Sequence, residues 1–222
     1  MNKLLTPLFA MLVACATTTV HAQPVQGNAQ AGERKNAMCI GCHGIVGYQA
    51  SFPEVYKVPK ISGQSEQYIV AALTGYQKGE RKHPSMRAIA QSLNAQDIAD
   101  LAAYYSRHGV VAAQTGAPAA ALSAPPAVVA QLLQKGACVS CHGANLNQPI
   151  DPAYPKIAGQ YADASFVALK SYKTDNQATW GRANPIMGGI AKQFSNAELK
   201  VLANYLASLP GDLKTLPQSP LR

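Results

Sequence analysis

Bulky aromatic residues are scarce in this 222-residue chain, which has four Phe and one Trp and is 7% aromatic overall. That length makes one ordinary domain or two small ones, and two domains of under about 100 residues would have thin side-chain cores. A large apolar prosthetic group in each would supply the missing burial. Acidic residues are outnumbered, with 11 Asp and Glu against 19 Lys and Arg, for a formal charge of +8. Such a balance suits nucleic acid, anionic lipid or an acidic protein. The basic residues are scattered, however, as at Lys57, Lys60, Arg81 and Arg87 and again at Lys156, Lys170, Arg182 and Lys192. They form no continuous stripe and accompany no nucleic-acid motif, which argues against a nucleic-acid partner and leaves solvation and steering of a protein partner. Runs of alternating β-branched residues are missing too, so the chain is expected to be all-α.

Past the N-terminus no stretch is long and apolar enough to span a bilayer. Lys3 and the apolar run from Leu4 to Ala14 have the pattern of an export signal. Two processing readings fit. Val20-His21-Ala22 offers small residues before a cut, making residues 1–22 a signal peptide; Leu12-Val13-Ala14-Cys15 resembles a bacterial lipoprotein box, in which Cys15 would be acylated. Export to the periplasm is expected either way, with membrane association by lipid on Cys15 or by electrostatics.

Of the five cysteines, Cys15 lies in this leader, and the other four form two identical pairs. Cys39-Ile40-Gly41-Cys42-His43 and Cys138-Val139-Ser140-Cys141-His142 both spell C-x-x-C-H, the attachment signature of a c-type haem. Two thiols three positions apart in a helical turn each reach one vinyl group of a porphyrin, and the next residue, His, points at the iron. A redox disulfide would call for a single thioredoxin-like pattern. One zinc shared by the pairs would have to bridge nearly a hundred residues. Two covalent haem c groups are therefore expected, held by Cys39 and Cys42 and by Cys138 and Cys141.

The motifs lie 99 residues apart, and their surroundings repeat with them. Pro59-Lys60-Ile61-Ser62-Gly63-Gln64 returns as Pro155-Lys156-Ile157-Ala158-Gly159-Gln160, and Pro84-Ser85-Met86 as Pro185-Ile186-Met187. The closing segments agree as well, Asp97 to Tyr105 against Glu198 to Leu206. A duplicated module predicts two similar domains, at 23–111 and 126–210, joined by an Ala/Pro-rich linker at 112–125 and followed by a tail at 211–222. Helices are expected over 26–37, 65–76 and 127–135, and after the caps Asn94 and Ser195, with Pro210 ending the last.

Methionine is also rare. Once the leader is removed only Met38, Met86 and Met187 remain. Met38 abuts a cysteine and is badly placed to reach the opposite haem face. Met86 and Met187 follow a proline at equivalent places, in what reads as an irregular segment before a helix. That makes them the expected second axial ligands to iron, opposite His43 and His142. His83 is the nearest rival at the first haem, but the second half has no matching histidine, and His108 reads as a surface residue. Thioether ligation favours reduced iron. The carbonyls of Pro59 and Pro155 are placed to take the histidines' other N–H, and Arg81, Arg182, Tyr76, Tyr172 and Trp180 are candidate partners of the haem propionates.

Together, the paired C-x-x-C-H motifs, Pro-Lys-Ile-x-Gly-Gln, the Pro-x-Met segments and the run Asp97 to Tyr105 resemble the dihaem cytochrome c-four family, over about residues 32–209. The resemblance implies two class I cytochrome c folds, each wrapped around one covalent haem, with His43 and Met86 axial to one iron and His142 and Met187 to the other. It also implies a periplasmic electron carrier, not an enzyme, passing electrons to respiratory partners such as a terminal oxidase. The alternative is an electron-accepting subunit of a periplasmic dehydrogenase such as a sulfide-oxidising flavoprotein. One departure is the absence, before Cys138, of a glycine equivalent to Gly32, which predicts different packing of that helix.

Overall fold

Asn28 opens the first helix, its side chain accepting the Ala31 amide at 2.9 Å. The structure is a computed structural model that describes residues 25–110, 124–174 and 177–217. The expected leader at 1–22, Cys15 within it and nearly all of the linker at 112–125 lie outside the described residues. The first half contributes α1 (Ala29–Lys35), α2 (Ala37–His43), α3 (Glu66–Lys78), α4 (Pro84–Gln91) and α5 (Ala95–Arg107). The second contributes α6 (Ala127–Lys135), α7 (Cys138–His142), α8 (Ala162–Ser171), α9 (Pro185–Ala191) and α10 (Asn196–Ser208). Four two-residue strands join the helices: β1 (Gln49–Ala50) and β2 (Tyr56–Lys57) form a hairpin, while β3 (Arg81–Lys82) and β4 (Gly181–Arg182) pair antiparallel between the halves.

The helix expected over 26–37 divides at Asn36. This fully buried residue takes a turn conformation, and its carbonyl accepts the amides of Cys39 and Ile40, so it ends α1 and starts α2. The cap at Asn94, which looks loose in sequence, is a full capping box. Asp97 N–H donates to the Asn94 side chain at 2.9 Å, and Asn94 N–H donates to the Asp97 carboxylate at 3.1 Å. Ser195 and Glu198 repeat it at the start of α10.

The two halves clamp their first and last helices differently. Gly27 and Gly32 bring α1 against α5, where a Cβ at either glycine would collide with the Ala99 or Asp100 carbonyl. Asp100, 2% exposed, binds both ends of α1, accepting the Asn28 amide at 2.8 Å and the Lys35 ammonium at 2.6 Å. No such carboxylate exists in α10, where the equivalent position is Val201. There Val129, Leu132 and Leu133 of α6 enter an apolar core with Phe194, Leu199, Leu202 and Leu206, as the missing glycine predicts.

Contacts between the halves follow a local two-fold pattern. Gln64 Nε2 donates to the Lys156 carbonyl at 3.0 Å, and Lys156 N–H donates back to Gln64 Oε1 at 2.9 Å. Gln160 makes the same pair with Lys60, at 3.0 and 2.9 Å. Asp163 accepts both the backbone N–H and the ammonium of Lys57, and Glu54 accepts Lys170 at 2.7 Å. The tail returns across this seam. Lys214 N–H donates to the Ser62 carbonyl at 3.0 Å, Asp212 pairs with Lys156 at 2.7 Å, and Leu213 is buried.

Gly32→Ala should destabilise the folded protein by about 1–3 kcal/mol in denaturant unfolding, because backbone, not a yielding side chain, stands in the way. The clamp carboxylates also set an acid limit. Hydrogen bonds from Ser195 and Lys135 hold Glu198 at about 2. The hydrogen bond from Lys35 keeps Asp97 low; in Asp100 and Asp163, burial pushes upward but is outweighed by Lys35, Lys57 and backbone amides. Folded values below the unfolded ones give stability that is complete above about pH 5 and is lost as pH falls towards 2. Thermal midpoints measured from pH 6 to pH 2 should drop over that acid limb.

Candidate haem sites

Both motifs ride on helices. In α2 and in α7 the cysteines are three residues apart, on one helix face, with histidine closing the turn. All four cysteines stand as unpaired thiols, and burial pushes the Cys39 thiol up to about 11 and raises that of Cys138. The expected proline carbonyls are in place. His43 Nδ1–H donates to Pro59 O at 2.8 Å, and His142 Nδ1–H to Pro155 O at 2.9 Å. Burial lowers both imidazole pKa values, with the proline carbonyls pulling the other way, so each ring is neutral at neutral pH. With Nδ1 donating, Nε2 carries the lone pair that a metal needs.

Met86 and Met187 do not sit in irregular segments ahead of a helix. They lie in the first turns of α4 and α9, because Pro84 and Pro185 occupy the first helical position, where a fixed φ helps and the missing N–H is not needed. The residue before each proline is the cap. Asn184 Oδ1 accepts the Met187 amide at 2.9 Å, and His83 Nδ1 accepts the Met86 amide at 3.4 Å. His83 Nε2 then donates to the Tyr56 hydroxyl at 3.1 Å, so both of its ring nitrogens are engaged by the protein. Met38 is 59% exposed on α2. His108 is not a plain surface residue: it is half-buried, stacked on Tyr104 with centroids 4.8 Å apart, and hydrogen-bonded to Ser62 Oγ at 2.9 Å.

Arg81 and Arg182 meet across the β3–β4 ladder. Arg81 donates to the Tyr68 hydroxyl at 3.2 Å and Arg182 to that of Tyr172 at 3.4 Å, while the Tyr76 ring lies 5.9 Å from the Arg81 guanidinium. Tyr68 is a member of this cluster that the repeat conceals, since its counterpart in the second half is Ala164. Trp180 is half-buried beside β4. Among the described residues no carboxylate reaches either guanidinium; all six ion pairs use lysine. Desolvated cations call for an anion. A porphyrin bearing carboxylates therefore fits these residues as well as it fits the free thiols and the aimed imidazoles. No three or more His, Cys, Asp or Glu side chains converge among the described residues.

Residues 29–106 and 127–210 each match the model of the cytochrome c family. Along nearly its whole length the chain is also similar to cytochrome c4 of Stutzerimonas stutzeri, at 31% identity over 94% of this chain and all of that one. The chain belongs to the dihaem cytochrome c4 family. The crystal structure of reduced cytochrome c4 from Pseudomonas stutzeri superposes with a TM-score of 0.59 at 27% identity, covering 83% of this chain and 100% of that one. A further relative, from Thiomonas intermedia, is a thiosulfate dehydrogenase electron acceptor, 28% identical over 78% of this chain and 79% of its own length.

As a cytochrome c4, the protein is a periplasmic electron carrier with two covalent haems, one at Cys39, Cys42 and His43 and the other at Cys138, Cys141 and His142. Its partners are redox proteins of the oxidase or dehydrogenase kind. No helix among the described residues is long and apolar enough to cross a membrane. Asn184→Ala should cost the cytochrome about 1 kcal/mol by removing the cap of α9, and Asn184→Asp should restore it, as read by chemical denaturation of the haem-loaded protein.

Proposed function

We propose that His43 with Met86, and His142 with Met187, close the two irons axially, so that each centre passes single electrons and binds no substrate. The observation that carries this is the duplicated pairing of a proline-locked histidine with a cap-held methionine. Haem supplies the one-electron ferric–ferrous couple. The chain sets its poise: the Nδ1–H bond to a proline carbonyl strengthens each imidazole as a donor, and a thioether favours reduced iron. The cytochrome domains are assigned to 23–111 and 126–210, with 112–125 as their link. A membrane-bound terminal oxidase is the proposed electron acceptor. The relative that accepts electrons from thiosulfate dehydrogenase favours a second reading, in which the donor is a periplasmic dehydrogenase.

A redox titration followed by optical spectroscopy tests the ligation. The oxidised protein should show the weak long-wavelength band of thioether-ligated haem. Met86→Ala and Met187→Ala should each remove one haem's share of that band and lower one reduction potential. High-spin iron in the native protein, or carbon monoxide binding to its reduced form, would overturn the assignment.

A further inference from the structure

We propose that Arg81 and Arg182 form one cationic bridge shared by both haem sites, so that each guanidinium sets the reduction potential of both haems. This rests on the two-haem, electron-carrier reading and adds how the two centres are tied.

In the antiparallel register Arg81 lies directly opposite Arg182. Directly opposed residues project from the same face of a ladder, with Cα atoms about 4.5–5.5 Å apart, and like charges placed so are destabilising. Among the described residues no carboxylate touches either one. Their neighbours are the rings and hydroxyls of Tyr68 and Tyr172 and the ring of Tyr76. The pair is also held in place: Ala183 N–H donates to the Glu80 carbonyl at 2.7 Å and Lys82 Nζ to the Gln177 carbonyl at 2.6 Å, one on each side of the ladder.

Two opposed, desolvated cations pinned at a seam favour anionic groups lying against both. Each half has one haem site, and each haem carries carboxylates. The tyrosines about the pair come from both halves: Arg81 lies over the rings of Tyr68 and Tyr76, and Arg182 over that of Tyr172. A fixed positive charge disfavours ferric iron, the more positive state, and so raises the potential. A shared charge raises two.

The test is a redox titration of Arg81→Met in the haem-loaded protein, fitted as two one-electron components. Both components should fall, each by on the order of tenfold in its oxidised-to-reduced ratio, or ~59 mV for one electron. Arg182→Met should do the same, and Arg81→Lys should hold both near their original values. One component moving while the other stays would overturn the sharing, as would Arg81→Lys shifting both as far as Met does, which would make packing rather than charge the cause. If Arg81→Met fails to assemble, Arg81→Gln and Arg182→Gln carry the same comparison. Fewer than two covalent haems per chain would instead overturn the two-haem reading itself.

Discussion

Everything in this protein is arranged around a hydrogen bond from a histidine Nδ1–H to a proline carbonyl, made once in each half. That bond fixes the tautomer and rotation of the imidazole. It therefore decides where a metal-seeking lone pair points. Proline suits the task because it presents a carbonyl on a rigid turn and has no N–H of its own to satisfy. The next residue continues the chain of constraint. Lys60 and Lys156 each give their backbone N–H to a glutamine of the other half. The loop that aims one histidine is thus held by the opposite domain, and each haem site is finished by its neighbour.

This reciprocity gives the repeated Pro-Lys-Ile-x-Gly-Gln segment two duties at once. Its proline serves the histidine of its own half, and its glutamine grips the other half's copy of the same segment. A module duplicated in tandem can face itself across a two-fold axis, as a homodimer does. The seam then hardens where symmetry is broken. Lys57 with Asp163, Lys170 with Glu54 and the tail with Ser62 are each made once. The halves also differ inside, since α1 is clamped to α5 by glycines and a buried aspartate while α6 meets α10 through aliphatic side chains.

Much of the site was legible because covalent chemistry writes itself into spacing. Two thiols three apart followed by histidine serve one purpose, and repetition at equivalent places is the ground on which Met86 and Met187 are proposed as ligands. The proline carbonyls were legible for a similar reason, as rigid turns downstream of each motif in the same repeated segment. The methionine segments were misjudged as irregular. Their polar composition resembles a loop, but a proline at the first helical position with Asn184 or His83 before it builds a capped turn. His108 was misjudged as well, because its bond to Ser62 joins residues 46 apart in sequence.

The sequence by itself determined the cofactor chemistry, the count of two centres, the helical class and the histidine supports. All of these depend on local spacing or on the comparison of one half with the other. Only the tertiary structure decided how the halves face each other, with Gln64 and Gln160 exchanging backbone partners and Arg81 set opposite Arg182. Those contacts join residues about a hundred positions apart. A repeat shows that two modules are alike, but it carries no information about the surface on which they meet.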